Sequence, residues 1–229
     1  MNVSRNRYLV AALLAPVVLA ACSTAARTTP SGGGASGGLS TAEMEAIYRA
    51  RTESERQRFT DADVHFMTAM IHHHAQAIEM ARLAPTHGAS ASIEVLAARI
   101  INAQNDEIAT MQAWLRDRGQ PVPEVHVTGT HVMVHGAAHD MSMPGMLSPE
   151  QLRQLDEARG AEFDRLFLTY MIQHHRGAVT MVHDLFATDG AGQDEAVFKF
   201  ASDAQVDQAT EVARMERMLA ALSAGDGPN

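Results

Sequence analysis

The chain has 229 residues, a formal net charge of −9 at pH 7 and one cysteine. Its acidic balance and the absence of a basic stripe exclude the usual type of nucleic-acid partner. A single cysteine excludes a disulfide within the chain. The length leaves room for one domain, since domains usually have roughly 100 to 200 residues.

The N-terminal segment is predicted to be a secretory signal. Residues 8–20 are apolar but too short to span a bilayer as a mature helix, and they follow a short basic region. The signal ends in Leu19-Ala-Ala-Cys22, a pattern typical of bacterial lipoproteins. We therefore predict a signal peptide over residues 1–21, lipidation at Cys22 and a flexible Gly/Ser tether over residues 22–39. The alternative is that the cysteine is incidental and lies beside an ordinary cleavage site.

Residues 40–223 are predicted to form one helical domain, with ends set by capping residues, proline and glycine. The predicted helices are a short one over about 40–58, long ones over 62–84 and 92–118, a short one from Ser148, and long ones over 162–187 and 194–223. Residues 119–147 lack helical periodicity and form the longest connection. Because no segment shows sustained alternation of apolar and polar residues, the sequence predicts no sheet.

The helical domain contains an internal repeat. Asp63-x-x-Phe-x-x-x-Met-x-x-His-His-x-x-Ala-x-x-Met80 matches the segment from Asp164 to Met181 at every named position. Each segment is followed by a helix with the pattern Gln-x-x-Glu, in repeat one (about 61–118) and in repeat two (about 161–222). Each repeat is a helical hairpin that cannot bury its apolar stripe alone. Two stacked hairpins therefore give a four-helix bundle.

Paired histidines fall on the core side of this predicted bundle. At about 100° per residue, His74 lies in the middle of the apolar stripe of its helix and His73 at the edge. His175 and His174 take the same places in the second repeat. His72 points away and has no histidine counterpart, so we expect it to be a solvated surface residue.

Four imidazoles in one layer of a bundle suggest a metal site. Imidazole binds Cu, Zn, Ni and Fe, whereas thioether sulfur selects Cu(I). Zinc is less favoured, because structural zinc sites prefer cysteine. The candidate ligands are Met70, His73, His74, Met80, Met171, His174, His175 and Met181.

A structural interpretation of the same pattern stays open. Glu107 and Glu211 face the seam from the following helices and could satisfy the imidazoles in a buried network. The same carboxylates could instead orient metal-bound histidines. Asp63 and Asp164 begin their helices, where a carboxylate is favoured by the helix dipole.

The connection is rich in side chains that bind metals. Its candidates are His131, Met133, His135, His139, Met141, Met143 and Met146. A loop gives methionine no core to fill, so we predict a flexible collector of copper ions. The alternative is a strap whose methionines lie across the end of the bundle.

The doubled Met-x-x-His-His signature and the Gln-x-x-Glu helices resemble the bacterial family called domain of unknown function 305. The resemblance spans about residues 61–219. It implies an all-α, ferritin-like four-helix bundle, and it makes copper the leading cargo because the family includes periplasmic copper-binding proteins. The connection is not part of the shared signature, so its role depends on chemistry alone.

These observations favour a lipid-anchored protein of the cell envelope that binds copper for sequestration or delivery and is not an enzyme. The expected partners are a metal ion and, through Cys22, the membrane. One alternative is a dinuclear iron or manganese oxidoreductase on the ferritin-like scaffold, although the Glu-x-x-His motif of such sites is missing. Another alternative is a structural envelope module without metal.

Overall fold

A computed structural model describes residues 39–56, 58–129, 131–136 and 143–225. Within these ranges the chain forms six α-helices and a two-stranded β-hairpin. The helices are α1 (Thr41–Arg56), α2 (Asp61–Arg82), α3 (Ala91–Asp117), α4 (Pro149–Glu157), α5 (Gly160–Ala187) and α6 (Glu195–Gly225), and the strands are β1 (Glu124–Thr128) and β2 (His131–His135). The long helices lie close to their predicted bounds.

Several sequence predictions fall outside the described residues. These are the signal peptide, the anchor Cys22, most of the tether, and two candidate ligands of the connection, His139 and Met141. Among the helices that are described, none has the length and apolar character needed to cross a bilayer.

Helices α2, α3, α5 and α6 form a four-helix bundle built from two helical hairpins. The most extensive contacts join α2 to α3 and α5 to α6, and α2 also contacts α5. The carboxylate of Asp63, in the first turn of α2, accepts a hydrogen bond from the N–H of Gly192, beyond the end of α5. Asp164, near the start of α5, accepts from the N–H of Ser90, which precedes α3. Helices α2 and α5 therefore run antiparallel, and the predicted all-α bundle of two repeated hairpins is confirmed.

Capping side chains fix where the helices begin. Thr60 and Asp63 exchange hydrogen bonds at the start of α2, at 3.2 and 2.8 Å. Ser148 and Gln151 do the same at the start of α4, at 3.2 and 2.9 Å. These contacts satisfy backbone N–H groups that have no partner inside the helix.

The buried core consists of two apolar clusters. The methionines of the first cluster are Met67, Met70, Met111 and Met181, and those of the second are Met80, Met171 and Met215. Because α2 and α5 are antiparallel, the methionine before the histidine pair in one repeat shares a cluster with the methionine after the pair in the other. The paired histidines lie between the two clusters and form a polar layer in the middle of the bundle.

The prediction that the chain contains no sheet is wrong. Strands β1 and β2 pair antiparallel, with Val125 opposite Val134 and Val127 opposite Val132. Gly129, with φ of 62°, lies in the turn between the strands. Val134 is buried in the first apolar cluster, and β2 packs on α2. The valines do alternate along both strands, but each strand has five residues and its inner face is completed by a helix rather than by a second sheet.

Candidate metal centre

Four imidazoles meet in the layer between α2 and α5, and we call His73, His74, His174 and His175 the histidine layer. All four side chains are fully buried, with no exposed surface. The ring centroids of His73 and His174 are 3.8 Å apart across the two helices. The rings within each pair are 6.5 and 6.1 Å apart. The structure thus brings the four predicted histidines together.

His74 and His175, which we call the outer histidines, each contact a carboxylate from the helix that follows in the same repeat. His74 Nε2 lies 2.5 Å from Glu107 Oε2, and His175 Nε2 lies 2.7 Å from Glu211 Oε2. A carboxylate accepts the proton of Nε2, so a neutral ring in this position has its lone pair on Nδ1. In both residues Nδ1 is buried and has no hydrogen-bond partner in the described part of the chain. This arrangement orients two imidazoles with one nitrogen free to bind a metal.

His73 and His174, whose rings meet across the two helices, are called the inner histidines here. Their hydrogen bonds differ. His73 Nε2 donates to the carbonyl oxygen of Pro144 at 3.0 Å, so its Nδ1 carries a lone pair. Both ring nitrogens of His174 are buried and make no well-formed hydrogen bond with the described residues, although a weaker contact with the backbone of His73 opposes the lowering of its pKa. Buried polar atoms are nearly always paired, so a nitrogen without a partner fits a ligand site better than it fits packing.

Burial also sets the charge of the inner pair. Burial, reinforced by the neighbouring His74, lowers the pKa of His73 to about 3, against the opposing effect of its bond to Pro144. Burial and the adjacent His73 hold the pKa of His174 well below its usual value of 6.5. Both imidazoles are therefore neutral near pH 7, which is the form that coordinates metal ions.

Two amide oxygens add to the unpaired polar atoms in this part of the bundle. Gln104 Oε1 and Gln208 Oε1 are buried without a hydrogen-bond partner in the described residues. Each belongs to the helix that carries the glutamate of its own repeat, about one turn before that glutamate. The Gln-x-x-Glu pattern thus supplies a carboxylate for each outer histidine and, about one turn earlier on the same helix, a buried amide oxygen without a partner in the described residues.

Part of the connection closes the layer from outside, and we call residues 143–147 the strap. Besides the bond from His73 to Pro144, Leu147 exchanges two hydrogen bonds with Gln76, at 2.7 and 3.2 Å. The strap lies so close to α5 that a Cβ added at Gly177 would be 2.1 Å from the oxygen of Pro144. A Cβ added at Gly145, which has φ of 78°, would be 2.7 Å from the backbone of α5. This part of the connection is thus a strap, but it crosses the bundle beside the histidine layer rather than at the end, where the alternative interpretation puts it.

The candidate methionines flank the layer. Met70, Met80 and Met171 are fully buried, and Met181 is nearly so. Met143 lies at the start of the strap and, with Met181, lines a cavity of about 270 Å³ that also contacts Pro144. Thioether groups therefore lie above and below the layer and at its outer edge.

The remaining candidates of the connection lie elsewhere. His131, Met133 and His135 are on the exposed side of β2, whereas Met146 is half-buried in the strap. His139 and Met141 fall outside the described residues. Within the described part, the connection is thus divided between an exposed hairpin and a strap, rather than gathered into one collector.

The prediction that His72 is a solvated surface residue is wrong, because its exposed fraction is 5%. The β-hairpin packs on the outer face of α2, where His131 contacts Glu79 at 3.5 Å and Arg82 donates to the carbonyl of Gly129. His72 lies on this same face, about two turns before Glu79. Helical periodicity predicts that this face is exposed to solvent, but the β-hairpin of the connection, which we also call the crossover, covers it.

The carboxylates proposed for a dinuclear site are not gathered together. Asp63 and Asp164 bind backbone N–H groups of the inter-helix turns, at 2.7 and 3.1 Å, whereas Glu107 and Glu211 contact histidines in the middle of the bundle. Among the described residues, no three side chains of histidine, cysteine, aspartate or glutamate are placed to hold a metal ion. A metal in the histidine layer would therefore need thioether ligands or a change of side-chain rotamer.

Comparison with known proteins gives a family and several similar structures. The profile of the family described as Domain of unknown function (DUF305) matches residues 63–219. The chain is similar to a DUF305 fragment from Deinococcus radiodurans, with 28% identity and a TM-score of 0.57 over 71% of this chain and 97% of that one. A DUF305 protein from Streptomyces coelicolor shares the fold, with 24% identity and a TM-score of 0.60 over 73% and 98% of the two chains.

A third similar structure is that of a protein solved with copper. CopM in its Cu(II)-bound form has 28% identity and a TM-score of 0.53 over 69% of this chain and 95% of that one. CopM in its Cu(I)-bound form gives a TM-score of 0.51 at the same identity, over 68% and 94% of the two chains. No curated protein matches this chain by sequence.

Proposed function

Because this chain belongs to the DUF305 family, we propose that it is a copper-binding protein of the cell envelope that sequesters the ion or delivers it to a partner. The similar protein CopM has been solved in Cu(I)-bound and Cu(II)-bound forms, at 28% identity to this chain. That similarity favours copper over other ions that bind imidazole.

The observation that carries the proposal is the set of buried, unpaired nitrogens in the histidine layer. His74, His174 and His175 each have at least one buried ring nitrogen without a hydrogen-bond partner among the described residues, and His73 has its Nδ1. Leaving one such group unsatisfied costs roughly 1–3 kcal/mol. If the layer served packing alone, each of these unpaired nitrogens would lower the free energy of unfolding by this amount. A bound ion would use the same lone pairs.

We propose that copper binds between the two helices, with the inner histidines and the free Nδ1 atoms of the outer histidines as its nitrogen ligands. The thioethers of Met70, Met80, Met171 and Met181 would supply soft ligands from either side of the layer. Thioethers carry no proton to lose and remain usable in an oxidising compartment. Glu107 and Glu211 would hold the outer imidazoles in the tautomer that binds.

The dinuclear iron or manganese enzyme has less support. Such centres combine glutamates with Glu-x-x-His motifs that project into the bundle core. Here Asp63 and Asp164 hold turns at the ends of the bundle, so Glu107 and Glu211 would be the carboxylates left beside the histidines. The proposed role is therefore binding rather than catalysis.

Copper titration of the purified chain tests this proposal. In a quadruple variant with alanine at the four positions of the histidine layer, we expect high-affinity binding of Cu(I) to be lost. His183, an exposed histidine of α5, provides a matched control, and His183→Ala should bind copper like the wild type. Far-UV circular dichroism establishes that each variant is folded. An unchanged affinity in the folded quadruple variant would overturn the site, and two irons per purified chain would overturn the choice of copper.

We also propose that the protein is anchored by lipid at Cys22 and faces the periplasm or the outer side of the membrane. The support is the signal pattern at residues 19–22 and the Gly/Ser-rich segment that separates it from the bundle. Cell fractionation of a Cys22→Ala variant tests the anchor, since the protein should move from the membrane fraction to the soluble fraction. A variant that stays with the membrane would contradict this part of the proposal.

A further inference from the structure

The β-hairpin has a second face, opposite the one that its valines form. Side chains alternate across a strand, so the four valines of the hairpin share the inner face and the residues between them share the outer one. The outer face carries Glu124, His126, Thr128, His131, Met133 and His135. The exposed fractions are 54% for the side chain of His126 and 51% for Met133, and His135 is also exposed. Three imidazoles and a thioether thus lie on one small solvent-facing surface.

Strand register places three of these side chains within reach of one another. His126 is directly opposite Met133, and Glu124 is opposite His135. Side chains directly opposite in an antiparallel pair have Cβ atoms about 4.5–5.5 Å apart. His126 and His135 are diagonal neighbours, and their ring centroids are 5.3 Å apart with an angle of 57° between the planes.

This ring separation is the one that a shared metal ion requires. Imidazole nitrogens bind at about 2.0–2.1 Å, so two imidazoles on one tetrahedral ion have ring centroids roughly 5 Å apart. In addition, Glu124 Oε2 lies 3.3 Å from His126 Nε2 and can hold that ring in place while the other nitrogen binds. The pair is therefore close to a binding arrangement without movement of the backbone.

We infer that His126, Met133 and His135 form a second copper site, on the exposed face of the hairpin, with Glu124 orienting His126. The inference rests on the proposed function for the choice of ion, but it uses no side chain of the histidine layer. Two imidazoles and one thioether suit copper better than Mg²⁺ or Ca²⁺, which prefer oxygen ligands. His131 is outside the site, because it lies opposite Thr128 at the turn end of the hairpin and contacts Glu79 of α2.

The two sites differ in access and therefore in the ion that each receives. The hairpin site is open to water and can take an ion directly from solution. The histidine layer is sealed by the strap and flanked by methionine clusters, which suits Cu(I). The hairpin thus captures copper at the surface, and the bundle retains it.

The test is a titration of the full chain with Cu(II), followed by isothermal calorimetry and electron paramagnetic resonance. The variant is His126→Ala/His135→Ala, made both in the wild type and in the quadruple variant of the histidine layer. We expect it to lower the affinity of the solvent-accessible Cu(II) site by at least about tenfold, the smallest effect usual for losing a group that supports a metal ion. His131→Ala is the matched control on the same face and should bind as the wild type does.

The outcomes separate this inference from the proposed function. If His126→Ala/His135→Ala binds Cu(II) with unchanged stoichiometry and affinity, the hairpin site is overturned, whatever the quadruple variant does. If the quadruple variant keeps all its copper and the hairpin variant loses it, the hairpin site stands and the proposed site in the layer falls. Tighter binding of Zn(II) than of copper at the hairpin would overturn the choice of ion. Because the substituted side chains are exposed, both hairpin variants should keep the melting temperature of the wild type in the presence of a chelator.

Discussion

In the first repeat His74 contacts Glu107 at 2.5 Å, and in the second His175 contacts Glu211 at 2.7 Å, so the outer histidines repeat one arrangement. The inner histidines do not. His73 donates to a carbonyl of the strap, whereas His174 makes no well-formed hydrogen bond in the described part of the chain. The histidine–glutamate contacts, which occur in both repeats, join two helices of one helical hairpin. The contact of His73, which occurs in one repeat, is made with the strap of the crossover.

This difference shows how a duplicated fold obtains an asymmetric site. The strap passes one repeat at Gln76, which binds it, and the other at Gly177, which gives it room. It thereby fixes the proton of His73 on Nε2 and leaves both nitrogens of His174 without such a restraint. The histidine layer thus contains two equivalent outer imidazoles and two inner ones with different freedom.

The largest expected effect is a loss of folding stability at acidic pH, to which both inner histidines contribute. Their pKa values in the folded chain lie below 6.5, so the unfolded chain takes up protons first as the pH falls. The contribution of His73 to the stability of the metal-free protein should be present above about pH 6.5 and fall toward pH 3, by about 1.4 kcal/mol per pH unit. At pH 5 His73 alone would remove about 2 kcal/mol relative to pH 7, and His174, whose pKa is lowered in the same direction, adds to this loss.

Urea unfolding at several pH values, in the presence of a chelator, measures this sensitivity. The control is His73→Leu/His174→Leu, which should unfold with a much smaller dependence on pH between 5 and 7. Equal slopes for the two proteins would show that the inner imidazoles do not remain neutral in the folded layer.

The second prediction concerns a variant in which both repeats have glutamine at the position beside the strap. Gly177→Gln introduces the residue of the first repeat, and its Cβ would lie 2.1 Å from the oxygen of Pro144. We expect displacement of the strap and a loss of about 2–3 kcal/mol in the free energy of unfolding, because overpacking a tight contact destabilises by this amount. Thr180→Gln, on the exposed side of the same helix, should change stability by less than about 0.5 kcal/mol. A Gly177→Gln variant as stable as this control would contradict the close packing of the strap.

The smallest predicted effect is a difference in stability between variants of the two inner histidines. His174→Leu removes two buried nitrogens without well-formed hydrogen bonds, so the metal-free protein should be unchanged or more stable by about 1 kcal/mol. His73→Leu removes the donor to Pro144 and should destabilise by about 1 kcal/mol. Urea unfolding at pH 7.5 with a chelator measures both, and copper titration should show weaker binding in each. Equal changes in stability would mean that the strap does not distinguish the two repeats.

The part of the fold that repeats could be predicted from the sequence. Helical periodicity and duplication together determine which side chains face the core, so the burial of all four histidines in one layer follows from the repeat. The periodicity puts His74 and His175 at the centre of the stripe, whereas His73 and His174 are the pair whose rings meet across the two helices. The contacts of Glu107 and Glu211 follow in the same way from the Gln-x-x-Glu pattern. These are local patterns that a symmetric packing brings together.

The contacts of the crossover could not be predicted in this way, since they join segments that share no periodicity. The burial of His72 depends on a hairpin that packs on α2 from outside. The residue pattern does not indicate His126 as a ligand, because only strand pairing places it opposite Met133. One signal was available: Gly177 stands in a helix interior where the other repeat has Gln76. Glycine destabilises such a position by about 1 kcal/mol relative to alanine, so it indicates a close approach of another backbone.

The two aspartate contacts with the inter-helix turns have a consequence for how the halves of the chain associate. Asp63 of the first hairpin holds the turn of the second, and Asp164 of the second holds the turn of the first. Neither bond can form within a single hairpin. Two identical hairpins related by a twofold axis would make both, as an isologous dimer does. The bundle therefore contains a self-association interface within one chain, and the crossover serves as the linker that sets the effective concentration at which its two sides meet.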